Sequence, residues 1–182
     1  APELASKEQL EESMTDILKL AFRDPSFSMI FVGFFSCGYQ LAFITAHFPA
    51  LVTEMSSPID ASGWCGDLGI QTTAALGGFA ISVIGFSNIL GTLVAGWAGK
   101  RYSKKWLLSG IYAGRSIAAA WFILTPVSPD SVLIFSFSMG FLWLATVPLT
   151  SGLVAHIYGL KYMGTLYGIV FFSHQLGSFI GV

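Results

Sequence analysis

The stretch FSMIFVGFFSCGYQLAFITAHFPALV at residues 27–52 contains no Asp, Glu, Lys or Arg. A helix needs about 20 mainly apolar residues to cross the hydrocarbon core of a bilayer, so this stretch predicts a transmembrane helix. It is too long for a core strand, and it lacks the strict alternation that a membrane barrel strand requires.

Four more runs of the same character follow along the chain. Hydrophobic residues make up 54% of the sequence and charged residues only 10%, whereas a soluble domain carries about 25% charged residues. The predicted fold class is therefore all-α, a polytopic membrane helix bundle with five spans. The spans are predicted at about 27–52, 72–98, 106–125, 131–155 and 162–182.

The segment before the first span has a different pattern. In EQLEESMTDILKLAF, at residues 8–22, apolar residues recur with a helical period and charges lie opposite them, which predicts an interfacial amphipathic helix that ends at Asp24-Pro25. The chain thus divides into a segment at 1–24 and a transmembrane part at 25–182. The formal net charge of −1 gives no global basic field and argues against a nucleic-acid partner.

The cationic residues indicate the orientation. Eight of the nine Lys and Arg residues lie outside the spans, and five consecutive crossings place all eight on one side. The opposite loops, about 53–70 and 126–130, contain acidic residues but no Lys or Arg. Under the positive-inside rule, the N-terminal segment and the loops at 99–105 and 156–161 are cytoplasmic. The eight cations are Lys7, Lys19, Arg23, Lys100, Arg101, Lys104, Lys105 and Lys161.

One of these loops carries a motif. The stretch GWAGKRYSKK at 96–105 resembles the G-x-x-x-D-R-x-G-R-[RK] loop of major facilitator superfamily transporters. It matches at Gly96, Arg101, Lys104 and Lys105, and it departs at Lys100 and Ser103, where the family has Asp and Gly. The weaker second copy of this loop lies between helices eight and nine, so the resemblance assigns the chain to helices seven to eleven, five of the six in a C-terminal half.

The stretches at 99–115 and 140–154 look like bacterial permeases near the oxalate/formate antiporter and monocarboxylate porter branch. The resemblance implies a secondary transporter in the bacterial inner membrane that moves a small organic anion, a monocarboxylate or dicarboxylate, by alternating access with proton symport or anion exchange. The implied partners are that substrate, membrane lipid and an N-terminal half. The chain begins without Met and ends within an apolar run, so we expect an internal fragment.

Polar residues within the spans are costly and mark candidate sites. His174 and Gln175 interrupt the fifth run. In the oxalate branch the eleventh helix carries a cationic residue that binds carboxylate, and the resemblance puts His174 at about that place. The alternative is a core histidine that is hydrogen-bonded to a neighbouring helix.

Three more positions are candidates. Tyr39 and Gln40 resemble the polar positions that line the cavity on helix seven, and Asn88 is central in the second run. For Asn88 the alternative is an ordinary interhelical hydrogen bond. Arg115 is an intramembrane charge for which a structural ion pair or snorkelling towards the headgroups is favoured over substrate contact.

Small residues and one proline predict how the helices pack. Ser87, Gly91, Ala95 and Gly99 recur every four residues, which predicts a face that a neighbouring backbone approaches closely. The fifth run contains two GxxxG pairs, Gly164/Gly168 and Gly177/Gly181. Pro148 predicts a bend in the fourth run, with a freed carbonyl that Thr or Ser would satisfy.

Enzymatic chemistry finds no support in the sequence. The three His residues lack a metal-ligand spacing, and neither GxSxG nor a phosphate-binding loop occurs, so we expect no enzyme, no metal and no cofactor. Cys37 and Cys65 likewise form no metal spacing. The alternative to a transporter is a non-transporting membrane sensor or scaffold that retains the fold.

Overall fold

The computed structural model describes residues 14–55, 59 and 63–182. Lys7, Asp60 and residues 8–13 of the predicted interfacial helix lie outside the described residues. Every regular element in the described part is an α-helix, which confirms the predicted all-α class. The helices are α1 (Met14–Arg23), α2 (Pro25–Met55), α3 (Trp64–Asp67), α4 (Thr73–Arg101), α5 (Lys104–Leu124), α6 (Pro129–Trp143), α7 (Thr146–Tyr158) and α8 (Leu160–Ile180).

Four stretches of helix are long and apolar enough to cross a membrane: Pro25–Glu54, Thr73–Arg101, Lys104–Leu124 and Pro129–Tyr158. They correspond to the first four predicted spans. The fifth predicted span is helical as α8, but it is not among these four. Its polar residues, Lys161 and the Ser-His-Gln run at 173–175, lower its mean hydropathy.

Two predicted loops are much shorter than expected. Only Tyr102 and Ser103 separate α4 from α5, and only Gly159 separates α7 from α8. Gly159 has a φ of 83°, a left-handed conformation that a residue without Cβ adopts without strain. The sequence ended the preceding spans too early and began the following spans too late, because the charged residues of the predicted loops belong to the helix ends.

The helix starts follow local sequence signals. The Thr72 hydroxyl accepts a hydrogen bond from the Ala75 N–H at 3.1 Å and caps α4. At the start of α6, Ser128 and Ser131 form a reciprocal capping box around Pro129, a residue that suits the first helical turn because its missing N–H needs no partner there. These caps satisfy backbone donors that the helix itself leaves unpaired.

The described residues form two compact units. The first contains the described residues up to Ala42 together with Thr150–Val182, and the second contains Phe43–Leu149. The helices α2 and α7 contribute to both units.

The second unit is built on the packing of α4 and α5 against α6. A methyl group on Gly91 would collide with the Phe141 carbonyl, and one on Gly140 would lie 2.7 Å from Ile84 Cα. Ser87, Gly91, Ala95 and Gly99 are all buried, which confirms the predicted close-packing face of α4. An aromatic cluster of Phe48, Phe122 and Phe135, with ring centroids 4.5–5.5 Å apart, fills the same unit.

Candidate functional site

In the first unit, α2 and α8 cross so closely that their backbones are in contact. A methyl group on Gly38 would lie 2.8 Å from the His174 carbonyl carbon, and one on Gly177 would lie 2.9 Å from that of Phe35. Gly181 approaches Tyr39 in the same way. Only glycine permits such contacts, because any Cβ would displace backbone. The crossing therefore fixes which side chains of α8 lie beside α2.

Two serine hydroxyls on α8 hydrogen-bond across this crossing. Ser173 shares its proton between the Phe31 carbonyl at 2.9 Å and the Val170 carbonyl of its own helix at 2.6 Å. Ser178 donates to the Gly38 carbonyl at 3.2 Å. Ser173 is fully buried, so its hydroxyl has protein partners and needs none from outside. These bonds hold the register of α8 against α2 around residue 174.

His174 lies between two aromatic rings. Its imidazole stacks on Phe171 with a centroid distance of 5.6 Å and an interplanar angle of 3°, and it lies 5.3 Å from the Phe34 ring. The Nδ1 atom is buried and makes no hydrogen bond to any described residue. A buried polar atom is normally paired, since leaving it unpaired costs about 1–3 kcal/mol. His174 thus presents an unused hydrogen-bonding group.

Two more buried polar atoms of the first unit lack a hydrogen bond to described residues. They are the Gln40 Oε1 atom and the Tyr167 hydroxyl. Tyr167 shares the aromatic cluster of His174, because its ring lies 6.0 Å from Phe34 and 6.2 Å from Phe171. The sequence reasoning missed Tyr167 and Phe34. Tyr167 lies seven residues before His174, a spacing that places both on one face of α8. Phe34 lies five and six residues before Tyr39 and Gln40, so its position along the chain offered no such signal.

The side chains of two other predicted site residues, Gln175 and Tyr39, are exposed. Gln175 is exposed, as expected for the residue beside a helix position that faces a partner. The Tyr39 side chain is 42% exposed, while its backbone lies at the crossing with α8. Within the first unit, the structure therefore places only His174 of the predicted residues in the aromatic cluster.

The Asn88 side chain accepts a backbone hydrogen bond at a break between α6 and α7. Pro148 has no N–H to offer the Leu144 carbonyl, and the Val147 N–H bonds that carbonyl at 3.0 Å instead. The Trp143 carbonyl then accepts from the Thr146 hydroxyl at 3.3 Å. At the same break, the Leu144 N–H donates to Asn88 Oδ1 at 2.9 Å. The helix breaks at residues 144–145, before Pro148. The freed Leu144 carbonyl accepts from the Val147 N–H and not, as predicted, from a Thr or Ser hydroxyl. Asn88 makes the interhelical hydrogen bond that was its alternative.

A groove of about 280 Å³ adjoins this break. Its polar side chains are those of Asn88 and Thr92, and the Thr92 hydroxyl already donates to the Asn88 carbonyl at 2.8 Å. The remaining lining is apolar or backbone, so the groove offers little for a charged ligand. It is lined by Gly85, Asn88, Ile89, Thr92, Leu93 and Leu144.

Arg115 is 1% exposed and is among the largest fully buried side chains. It lies on α5 in the second unit and interacts with other protein groups. The side chain therefore does not extend to the protein surface as a snorkelling residue would. This burial agrees with a structural role inside the helix packing.

The motif residues lie at the α4–α5 turn. Gly96 and Arg101 are in the last turns of α4, while Lys104 and Lys105 begin α5. The Arg101 guanidinium lies 4.7 Å from the centre of the Trp97 ring, within the range of a cation–π contact. The family model of the Major Facilitator Superfamily matches residues 1–182.

The chain belongs to the Major Facilitator Superfamily. Membership agrees with the all-helical fold and with the four helical spans apolar enough to cross a membrane. This major facilitator chain is therefore an integral membrane protein of a transporter family. No curated protein and no solved structure matches it.

The major facilitator chain also has a polar contact where α1 meets α2. Asp24 accepts hydrogen bonds from the Tyr158 hydroxyl at 2.7 Å and from the Ser26 N–H at 2.8 Å. These bonds, with that of Tyr158 the largest cause, lower the pKa of Asp24 from its ordinary value of 3.8. The ring of Phe27 packs edge-on against that of Tyr158 at 5.9 Å. The contact fixes the exit of α1 beside the end of α7.

A cysteine lies buried at another helix junction of this major facilitator chain. Trp64 Nε1 donates to Asp130 Oδ1 at 2.9 Å and ties α3 to the start of α6. Burial and the nearby Asp130 carboxylate raise the pKa of the Cys65 thiol, so this cysteine is a small apolar residue rather than a nucleophile. The described residues include no group of three His, Cys, Asp or Glu placed to hold a metal ion.

Proposed function

We propose that the protein is a secondary transporter that moves a small organic anion, a monocarboxylate or dicarboxylate, by alternating access with proton symport or anion exchange. His174 contacts the substrate carboxylate. The observation that carries this proposal is the buried, unpaired Nδ1 atom of His174 within an aromatic cluster on a helix of a transporter. The resemblance to the oxalate/formate antiporter and monocarboxylate porter branch supports the same substrate class.

The surroundings of His174 favour an anion. A neutral imidazole donates a hydrogen bond to a carboxylate, and a protonated one pairs with it as an ion. The ring centroids of Phe34 and Phe171 lie 5.3 and 5.6 Å from that of the imidazole. Aromatic faces at this distance attract a cation, so the two rings are compatible with a protonated His174 that pairs with an anion. The sequence of α8 contains no Asp or Glu, and that of α2 contains only Glu54 near its end. A substrate carboxylate would thus meet no fixed like charge on these two helices near His174.

Other polar residues complete the proposal. Gln40 has a buried oxygen without a donor, and its amide could bind the second polar end of a substrate. Tyr39, Gln175 and Asn88 remain proposed as cavity-lining residues. Among these, Asn88 has its oxygen already engaged by the break between α6 and α7.

The site needs a second set of helices. Substrate sites of such transporters form at the membrane midplane, between two repeats. We therefore propose the N-terminal half of the same protein as the partner. Membrane lipid contacts the exposed apolar side chains of the spans, such as Phe86 and Ile123.

The proposed location is the bacterial inner membrane, with the α4–α5 and α7–α8 turns in the cytoplasm. The one-sided distribution of Lys and Arg supports this orientation. Thiol labelling of a Ser103→Cys variant tests it, because Ser103 is exposed at the α4–α5 turn. Labelling by a membrane-impermeant reagent from the cytoplasmic side supports the orientation, and labelling from the outer side contradicts it.

Ligand binding tests the role of His174. Full-length protein is purified in detergent and titrated calorimetrically with a panel of small monocarboxylates and dicarboxylates. We expect at least one acid to bind, and His174→Ala to weaken its affinity roughly 10- to 100-fold, the effect of losing one hydrogen bond to a charged group. The matched control is His156→Ala, since His156 is an exposed histidine of α7.

Three outcomes separate the possibilities. A loss confined to His174→Ala supports the assignment. Equal affinity in both variants and the parent protein would return His174 to helix packing. Binding of no acid, by a protein whose helix content is intact, would favour the membrane sensor or scaffold over the anion transporter.

A further inference from the structure

The turn between α4 and α5 concentrates cations and aromatic rings on one surface. We define the basic-aromatic turn as Trp97 together with residues 100–106. It holds four of the nine Lys and Arg residues of the chain. Its aromatic side chains are strongly exposed, with Trp106 at 73%, Tyr102 at 61% and Trp97 at 52%.

The positive charge of this turn is not neutralised by the described protein. Among the residues that the structure describes, none of the four cations forms an ion pair with a carboxylate. The first turn of α5 contains Lys104 and Lys105 but no acidic residue. Cations near a helix N-terminus are disfavoured by the helix dipole. The cluster therefore lacks, within the described chain, the anion that would offset its repulsion.

Two rings hold cations beside them. Arg101 lies 4.7 Å from the Trp97 ring centre, and the Lys105 Nζ atom lies 5.9 Å from that of Trp106. Tryptophan is enriched at membrane interfaces, where its ring sits at the level of the headgroups. Because α4 ends and α5 begins here, and both are apolar enough to cross a membrane, exposed tryptophan rings at this turn favour a position of the two cations at headgroup depth.

From these contacts we infer that the basic-aromatic turn binds the headgroup of an anionic phospholipid. The planar guanidinium of Arg101 can form two parallel hydrogen bonds to phosphate oxygens. Lys100, Lys104 and Lys105 add point charges around the same phosphate, and the indole rings of Trp97 and Trp106 pack beside the glycerol and upper acyl chains. The inference goes beyond substrate transport and does not depend on the substrate or on His174.

Native mass spectrometry of the full-length protein tests the inference. Detergent-purified protein is titrated with phosphatidylglycerol or with phosphatidylcholine, and bound lipids are counted. Each cation near an anionic lipid surface strengthens binding about five-fold. We expect Lys104→Gln/Lys105→Gln to weaken phosphatidylglycerol binding roughly 25-fold and to leave phosphatidylcholine binding unchanged.

A matched variant controls for net charge. Lys19→Gln/Arg23→Gln removes two cations from α1, which lies on the same proposed side, and both residues are exposed. We expect less than about a two-fold change, since the headgroup of one bound lipid contacts only the cations of the basic-aromatic turn. Equal losses in the two double variants would overturn the inference and indicate general attraction between charges.

The aromatic contribution has its own pair of variants. Trp106→Leu should weaken phosphatidylglycerol binding about two- to five-fold, the value of a cation–π contact at an exposed site. Trp121→Leu, at the other end of α5, should not. If phosphatidylglycerol binds no better than phosphatidylcholine to the parent protein, the inference is wrong. Far-UV circular dichroism checks that every variant keeps its helices.

Discussion

At the scale of single residues, Asn88 and Pro148 both act at the break between α6 and α7. Pro148 has no N–H for the Leu144 carbonyl, which accepts from the Val147 N–H at 3.0 Å instead. At the same break, the Leu144 N–H bonds to the Asn88 side chain. In a membrane no water is available to replace such a partner. Asn88 therefore stabilises the break between α6 and α7.

We predict that Asn88→Ala lowers the free energy of unfolding by roughly 1–3 kcal/mol, because the Leu144 N–H loses its acceptor. Denaturant titration in detergent measures the change. The control is Ser82→Ala, since the Ser82 hydroxyl bonds only to the Gly78 carbonyl of its own helix at 3.2 Å, and its loss should cost less than about 0.5 kcal/mol. Equal effects in the two variants would contradict the role of Asn88.

The sequence predicted half of this arrangement. Pro148 predicted an interruption of the helix, because its ring and its missing N–H act on the adjacent helix turn. The partner of Asn88 was not predictable, since it lies on another helix and depends on how α4 packs against α6. His174 shows the same limit. Its polar character within an apolar run marked it as a candidate, but its stacking on Phe171 and proximity to Phe34 follow from the packing of α8 on α2.

At the scale of helices, close crossings of glycine backbones determine the packing. The Gly91 position on α4 leaves no room for a side chain, whereas Gly85 on the same helix has open space beside it. The sequence predicted the Gly91 face from its four-residue spacing. It could not distinguish the Gly177/Gly181 pair, which contacts α2, from the Gly164/Gly168 pair. A methyl group on Gly164 or Gly168 would meet no atom of another helix within 4 Å. Both pairs have the same spacing, and only the partner helix separates them.

We predict that Gly91→Ala destabilises the protein by about 1–3 kcal/mol, the cost of overpacking a close contact. The new methyl group would press on the Phe141 carbonyl, which belongs to a helix backbone and cannot rotate away. Gly85→Ala should be neutral or should stabilise by up to about 1 kcal/mol, because Ala favours the helix at an open position. Thermal unfolding of both variants in detergent measures the difference. A Gly91→Ala protein as stable as the parent would refute the close crossing.

The junction of α1 and α2 gives a pH dependence. The folded pKa of Asp24 lies below its ordinary value of 3.8, so the contact contributes its full stabilisation above that pH and loses it as the pH falls towards the folded pKa. The protection of the α1 backbone amides from hydrogen exchange, relative to an unstructured peptide at the same pH, should therefore fall on acidification below about 3.8. Asp24→Asn should accelerate this exchange already at neutral pH.

The matched control for Asp24 is Asp16→Asn. Asp16 forms an exposed ion pair with Lys19 at 3.8 Å, and such pairs contribute little to stability. Exchange in α1 that is equally fast in both variants at neutral pH would show that the contact between Asp24 and Tyr158 does not hold α1 in place.

At the scale of the whole molecule, apolar runs were sufficient to predict an all-helical membrane protein. Their length and their lack of charge exceed anything a soluble core requires, as the 27–52 run shows. The short turns at Tyr102–Ser103 and Gly159 were not predicted, because charged residues such as Lys100 and Lys104 read as loop while they belong to helix ends. The 162–182 run was predicted as a span, but its helix is not among the four that are apolar enough to cross a membrane. The polar residues that lower its hydropathy are the ones that make it a candidate for function.

The most direct test of the account is a flux measurement. Full-length protein is reconstituted into liposomes that are preloaded with the acid that binds best, and uptake of the labelled acid is followed in exchange mode and under an imposed proton gradient. We predict uptake in at least one mode, its abolition by His174→Ala, and its retention by His156→Ala. Absence of uptake by a correctly inserted protein in both modes, or unchanged uptake by His174→Ala, would contradict the account.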